Sequence, residues 1–202
     1  MKITAVKTFV VDGGFRPWTF VKVETDEGLV GLGEVRALNR TDALLGYLKE
    51  AVPRYVLGSD PFEVERLVQR MLRDDFVGGN DIVMSGIAIL EMACWDLMGQ
   101  ALKQPVYRLL GGAVRERIMA YANGWYKGPR APAFFAGEAI KVKEMGYTAL
   151  KFDPFGKAYR FISRQEEKLS LSIVRAVRDA VGDDVDILIE GHDRFSVSTA
   201  IC

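Results

Sequence analysis

The sequence is poor in cysteine and histidine, with two of the one and one of the other in 202 residues. Cys94 and Cys202 lie far apart, one inside a strongly apolar stretch and the other the last residue. That argues against a disulfide framework and fits a reducing compartment, the cytoplasm. An excess of either charge is missing too, because 27 Lys and Arg balance 27 Asp and Glu. Nothing global therefore draws the chain to nucleic acid or an anionic membrane, and no basic cluster appears locally. The opening Met1-Lys2-Ile3-Thr4 has neither the apolar core nor the small-residue cleavage site of a secretory signal. No Gly-rich phosphate loop, Cys/His metal cluster or Ser-His-Asp order stands out. One apolar run, residues 82–102, has the length of a membrane span, but Glu91 and Asp96 sit inside it. Each would cost about 2.5–3.5 kcal/mol at a bilayer centre, so a buried helix of a soluble protein is expected.

What is present is ordinary globular composition, 49% hydrophobic and 27% charged, over a length that suits one domain or two small ones. Residues 3–11 and 18–25 are rich in Val, Thr, Phe and Ile, and Asp26-Glu27-Gly28 turns the chain into 29–35, which predicts a β-meander. Helices follow. Thr41 or Asp42 is the expected cap of a helix carrying Leu44, Leu48, Val52 and Tyr55, bent or ended by Pro53. Asp60-Pro61-Phe62-Glu63 is a second start signal, with Glu63 expected to reach back to the cap, before Val64, Leu67, Val68, Met71 and Leu72 at helical spacing. After Gly111-Gly112 the pattern alternates. A strand over 118–123, a helix over 133–145, a strand over 149–153, a helix capped by Ser163 and Glu166, a strand over 186–192 and a helix from 197 make the βα repeat of a parallel sheet.

In such an architecture reactive side chains gather at the C-terminal ends of the strands. Lys151 and Asp153 are two apart and share a face, with Leu150 and Phe152 on the other; Glu190 and His192 share a face in the same way. A carboxylate beside an imidazole is compatible with a Mg²⁺ ligand next to a proton donor. The plainer alternatives are a surface ion pair at Lys151 and Asp153 and a polar loop without a task at 190–194, and residue pattern does not choose between them.

Three stretches carry a resemblance to a known family. They are Thr25-Asp26-Glu27-Gly28-Leu29-Val30-Gly31-Leu32-Gly33-Glu34, the run Glu91-Met92-Ala93-Cys94-Trp95-Asp96-Leu97-Met98-Gly99-Gln100 with Gln104-Pro105-Val106-Tyr107-Arg108-Leu109-Leu110-Gly111-Gly112, and the strand ends at Lys151 and Glu190. The chain resembles the enolase superfamily in its mandelate racemase / muconate-lactonising branch, with Ile89 a minor departure. The resemblance implies an α+β capping domain over 1–112, then α/β structure over 113–202, the first three βα units of an incomplete (β/α)₈ TIM-type barrel. It further implies Mg²⁺-assisted removal of the proton α to a carboxylate, where a divalent ion and nearby cations stabilise the enediolate. Glu190 resembles the first of three metal carboxylates, and Lys151 the first lysine of a Lys-x-Lys motif that supports the enediolate. Asp153 departs from the second lysine, which argues against a two-base racemase. His192 is placed like the histidine of acid-sugar dehydratases that protonates the departing β-hydroxyl. Arg16 and Trp18 fall where the capping domain of relatives reaches over the substrate, with Asp153 a further expected substrate contact. Tyr121, Asn123 and Trp125 are expected to pack or hydrogen-bond locally, and Asp193 and Arg194 to form a solvated pair.

The implied activity is that of an aldonate dehydratase acting on a small sugar acid, homo-oligomeric in full-length form. An epimerase, racemase or cycloisomerase of the same superfamily is the alternative, and a non-catalytic fragment or interaction module the alternative of another class. Relatives run to about twice this length, so the resemblance puts two further Mg²⁺ ligands and the base beyond residue 202. The chain alone is then expected to be inactive, as a partial chain, a frame-broken product or one whose barrel a second polypeptide completes.

Overall fold

Alternating Val, Thr and Phe build β1 (Ile3–Asp12) and β2 (Pro17–Thr25), which pair antiparallel with Val6 opposite Val23 and Phe9 opposite Phe20. β3 (Val30–Val35) joins the free edge of β2, giving a sheet in the order β1-β2-β3. This is seen in a computed structural model that describes residues 1–74, 76 and 79–201. The chain divides into two compact units, Met1–Val114 and Arg115–Cys202.

In the first unit the sheet packs on a helical layer made of α1 (Thr41–Ala51), α2 (Val64–Arg73) and α3 (Asp81–Leu102), with a short α4 (Val106–Leu109) after it. The apolar run is α3. Asn80 caps it, its side-chain oxygen accepting from the amides of Ile82 and Val83 at 3.0 and 3.1 Å. By length and composition this helix could cross a membrane. Instead its Ile87, Ile89, Leu90, Ala93, Cys94 and Leu97 are buried among Val21, Val23, Leu44, Leu48 and Leu67 of the same unit. Cys94 is a free thiol there; the expectation about Cys202 lies outside the described residues.

Several local expectations are corrected. α1 has Arg40 at its cap position with no side-chain cap bond, so neither Thr41 nor Asp42 caps it. The α-helical pattern does end beside Pro53 as expected, α1 stopping at Ala51 and giving way to a π-helical turn, Val52–Val56, that contains the proline. Asp60 does accept from the Phe62 amide at 3.0 Å, whereas Glu63 pairs with Arg66 at 3.0 Å instead of returning to the cap.

The second unit places α5 (Pro132–Glu144) and α6 (Arg164–Val181) beside each other against β4 (Ala149–Phe152) and β5 (Asp186–Ile189), with α7 (Val197–Ile201) following. β4 and β5 are parallel, Lys151 opposite Leu188 and Phe152 opposite Ile189. Leu150 and Phe152 are fully buried with Phe135, Ala139, Val142, Ile173, Val177 and Val181, each large side chain worth about 1.5–3 kcal/mol. The strand expected over 118–123 shrinks to one parallel bridge, Ala122 with Leu150. Ile118 and Met119 are 87% and 72% exposed, so no burial holds that stretch extended. The strand expected over 186–192 is shorter, β5 ending at Ile189. It could not have run through His192, since His192 and Asp193 both take φ +53°, a left-handed conformation that turns the chain. Ser163 caps α6, accepting from the Glu166 amide at 3.2 Å, while the Glu166 carboxylate pairs with Arg130 instead of closing a capping box.

Candidate active site

The site begins with strand alternation. Because Leu150 and Phe152 point into the core of the second unit, Lys151 must emerge on the opposite face of β4. The parallel register continues one residue past β5, where the Glu190 amide donates to the Phe152 carbonyl at 2.9 Å. Glu190 thereby stands next to Lys151, and Lys151 Nζ meets Glu190 Oε2 at 2.5 Å, each side chain about one quarter exposed. The other oxygen, Oε1, accepts from the His192 backbone amide at 2.7 Å. The Lys151 ammonium, then the His192 N–H, hold the Glu190 carboxyl down to about 2, and the carboxylate in turn raises Lys151. Glu190 is ionised at any physiological pH. The Tyr121 ring lies 5.7 Å from Lys151 Nζ, and Trp125 Nε1 donates to the Lys151 carbonyl at 3.1 Å from an aromatic cluster with Tyr126, Phe135 and Phe152.

The second half of the site is built on Asp153. Its Oδ1 accepts from the Phe155 amide at 2.9 Å and from Arg194 Nη2 at 2.9 Å; its Oδ2 accepts from Arg194 Nη2 at 2.7 Å and faces His192 Nδ1 at 3.1 Å. Arg194 is fixed at two more points, Nε to the Gly191 carbonyl at 3.1 Å and Nη1 to the Gly156 carbonyl at 2.9 Å. The expected solvated pair of Asp193 and Arg194 is therefore corrected. Arg194 belongs to Asp153, whose two carboxylate oxygens are both reached by the one nitrogen Nη2 in a charge-assisted contact.

Lys151, Glu190, His192 and Asp153 thus form one connected chain of contacts across two adjacent strand ends. Arg16 and Trp18 lie in the first unit. Arg16 sits over the Phe15 ring at 4.9 Å in the β1–β2 loop, and Trp18 pairs with Val11 in the sheet. Sequence reasoning gave Arg194 the wrong partner and passed over Arg130. Arg194 is 41 residues from Asp153, beyond any local spacing rule, and only the strand register brings them together. Arg130 latches the loop after β4, donating to the Pro154 carbonyl at 2.9 Å and to Ser170 Oγ at 3.0 Å. A lone aspartate at a buried strand end was the signal available, since such a charge needs a cation nearby.

The arrangement offers an ammonium, an ionised carboxylate and an imidazole together, a set able to bind a carboxylate-bearing molecule and exchange a proton with it. Toward a metal, Glu190 supplies one hard oxygen donor. Among the described residues no group of three or more His, Cys, Asp or Glu comes together to hold an ion. These side chains fit one position of a Mg²⁺ site and do not make a site alone.

Known proteins match this chain along nearly its whole length. Residues 5–111 match the mandelate racemase / muconate lactonizing enzyme N-terminal domain, and residues 135–202 the enolase C-terminal domain-like family. A D-gluconate dehydratase of Thermoproteus tenax is 42% identical over 182 residues, 90% of this chain and 36% of that protein. A D-galactonate dehydratase of Klebsiella pneumoniae is 34% identical over 200 residues, 99% of this chain and 50% of that protein. The crystal structure of a mandelate racemase/muconate lactonizing enzyme from a Jannaschia species superposes with a TM-score of 0.90 at 33% identity, covering 100% of this chain and 57% of its own. The chain spans half or less of the length of these two curated relatives. Lengths apart, sequence and fold agree, and the chain belongs to the mandelate racemase / muconate lactonizing enzyme family of the enolase superfamily.

Proposed function

We propose that this chain supplies part of the active site of an acid-sugar dehydratase, with residues 1–112 as its capping domain and 113–202 as βα units of a (β/α)₈ barrel. The observation that carries the reading is the linkage of Lys151, Glu190 and His192 at adjacent strand ends. The substrate class follows from relatives named for D-gluconate and D-galactonate. In the reaction the proton α to the carboxylate passes to a general base, and the electron pair of the broken C–H bond enters an enediolate. That pair then forms the C=C bond as the β C–O bond breaks, and the departing hydroxide takes a proton and leaves as water. The resulting enol becomes a 2-keto-3-deoxy acid.

Lys151 Nζ is the cation for the substrate carboxylate and the growing enediolate charge. His192, 58% exposed at its side chain, donates the proton to the leaving hydroxyl. Glu190 is one ligand for the Mg²⁺ that enolase-superfamily dehydratases generally use; bound, that ion supplies charge stabilisation to the enediolate. Arg16 and Trp18 are proposed substrate contacts on the resemblance alone. Asp153, with both oxygens engaged, offers no free base at the position of the family's second lysine, which weighs against the two-base racemase alternative.

The test is a chimera in which this chain replaces the corresponding residues of the Thermoproteus tenax D-gluconate dehydratase. With Mg²⁺ it should convert D-gluconate or D-galactonate to a 2-keto-3-deoxy product, and His192→Asn or Lys151→Met should lower kcat by roughly 10² or more. A folded chimera that makes no such product, or one whose rate ignores both substitutions, would falsify the reading. The 202-residue chain by itself should give no product, and Mg²⁺ should leave its melting temperature unchanged because one carboxylate binds the ion weakly.

A further inference from the structure

We infer that Asp153 is a positioning residue that fixes the ring orientation and tautomer of His192, and is not itself a substrate contact. A carboxylate offers about four lone-pair sites. Here Phe155 N–H, two contacts from Arg194 Nη2 and the His192 ring occupy them all, and the side chain is only 14% exposed. No acceptor is left for a sugar hydroxyl.

The same count decides the tautomer. Asp153 Oδ2 can only accept, so the proton between it and His192 belongs to Nδ1 of the ring. Nε2 is then the atom turned away from Asp153, free to exchange a proton with a bound molecule. The ring is held from both ends. Glu190 Oε1 grips the His192 amide and so supports the left-handed backbone at φ +53°. Asp153 in turn grips Nδ1, and Arg194, bonded also to Gly156 and Gly191, keeps Asp153 from rotating away. A side chain this exposed would otherwise sample several rotamers, at a cost in entropy each time the productive one is needed. Nε2 can donate only from the imidazolium, in which both ring nitrogens carry a proton. That this donation occurs rests on the dehydratase reading above, whereas the tautomer of the neutral ring and the hold on it do not.

His192 is the only histidine in the chain, so ¹⁵N spectra of the uniformly labelled protein contain one imidazole and need no assignment. In the neutral ring, Nδ1 should appear as the protonated, pyrrole-like nitrogen and Nε2 as the pyridine-like one. Asp153→Asn, near in shape, should lower the ratio of the Nδ1–H to the Nε2–H form by roughly tenfold or more, as expected on losing a charged acceptor. A wild-type spectrum showing Nε2–H, or an Asp153→Asn spectrum identical to wild type, overturns the proposal; the wild-type spectrum decides even where the variant does not fold. In the chimera, Asp153→Asn should lower kcat with KM nearly unchanged. A raised KM at constant kcat would make Asp153 a substrate contact and sink the inference. A chimera without dehydratase activity would defeat the functional reading while the spectra still report on Asp153 and His192.

Discussion

A methyl group added at Gly33 would lie 2.0 Å from the Ile89 carbonyl oxygen, and one at Gly31 2.2 Å from that of Ala93. Both obstacles are helix backbone, which has no rotamer by which to yield. β3 rests on α3 at a distance that only hydrogen side chains permit. Gly33→Ala would gain about 0.4–1 kcal/mol from the less flexible unfolded chain but lose about 1–3 kcal/mol or more to overpacking, so it should destabilise. Urea unfolding should show the loss as a lower midpoint with an unchanged slope; an equal or higher midpoint would mean the sheet moves freely off the helix. A second residue-scale prediction concerns Cys94. Burial first, and then the neighbouring Glu91 charge, push its thiol from 9.0 up to about 12. A raised folded value means the neutral thiol is favoured in the fold. That stability is complete below pH 9 and is lost as pH climbs toward 12. Between about pH 8 and about pH 11 the wild type should therefore lose roughly 2–3 kcal/mol more than Cys94→Ala, measured by unfolding at both values. Parallel losses in the two proteins would refute it.

At the scale of elements, the helix that composition alone could send into a membrane is explained by two polar side chains. Asp96 Oδ2 accepts from the Leu32 amide at 2.9 Å, and Gln100 Nε2 donates to the Val30 carbonyl at 2.7 Å. β3 is an edge strand of the sheet, and α3 thus covers the side of it that β2 leaves unpaired, a known way to protect an edge. Asp96→Ala should cost about 1–3 kcal/mol and speed hydrogen exchange at the Leu32 amide, whose acceptor it removes. Unchanged exchange at Leu32 would show the edge bond to be idle. Elements of this kind were legible in the sequence where period and burial agree: the meander, α3, and the Leu150 and Phe152 alternation that turns Lys151 outward. They were misread where a competing partner took a side chain. Glu166 went to Arg130 and Glu63 to Arg66, each away from the cap it was expected to close. The long-range pairing of Asp153 with Arg194 was invisible for another reason: it depends on the register of two strands whose paired residues, such as Ala149 and Asp186, are 37 apart in sequence, which no local pattern encodes.

At the scale of the molecule, the second unit presents apolar surface that parallel βα structure normally covers on both faces. Its sheet has two strands among the described residues, and two strands alone are marginal. Ile189, at the end of β5, is 43% exposed beside Phe155, Leu171, Val174 and Phe195, which line one groove with it. Phe161, Val197 and Ile201 are each more than two thirds exposed. Scattered apolar residues are ordinary on a surface, but a groove with this lining is an adhesive patch. The folded chain should accordingly enhance the fluorescence of a hydrophobic dye such as ANS in native buffer, and its weight-average mass in sedimentation should rise with concentration. Replacing Ile189 and Val197 with Gln should reduce both effects together while leaving the far-UV circular dichroism unchanged. If the chain stays monodisperse over a hundredfold dilution and ignores the dye, these side chains do not form an adhesive patch in solution.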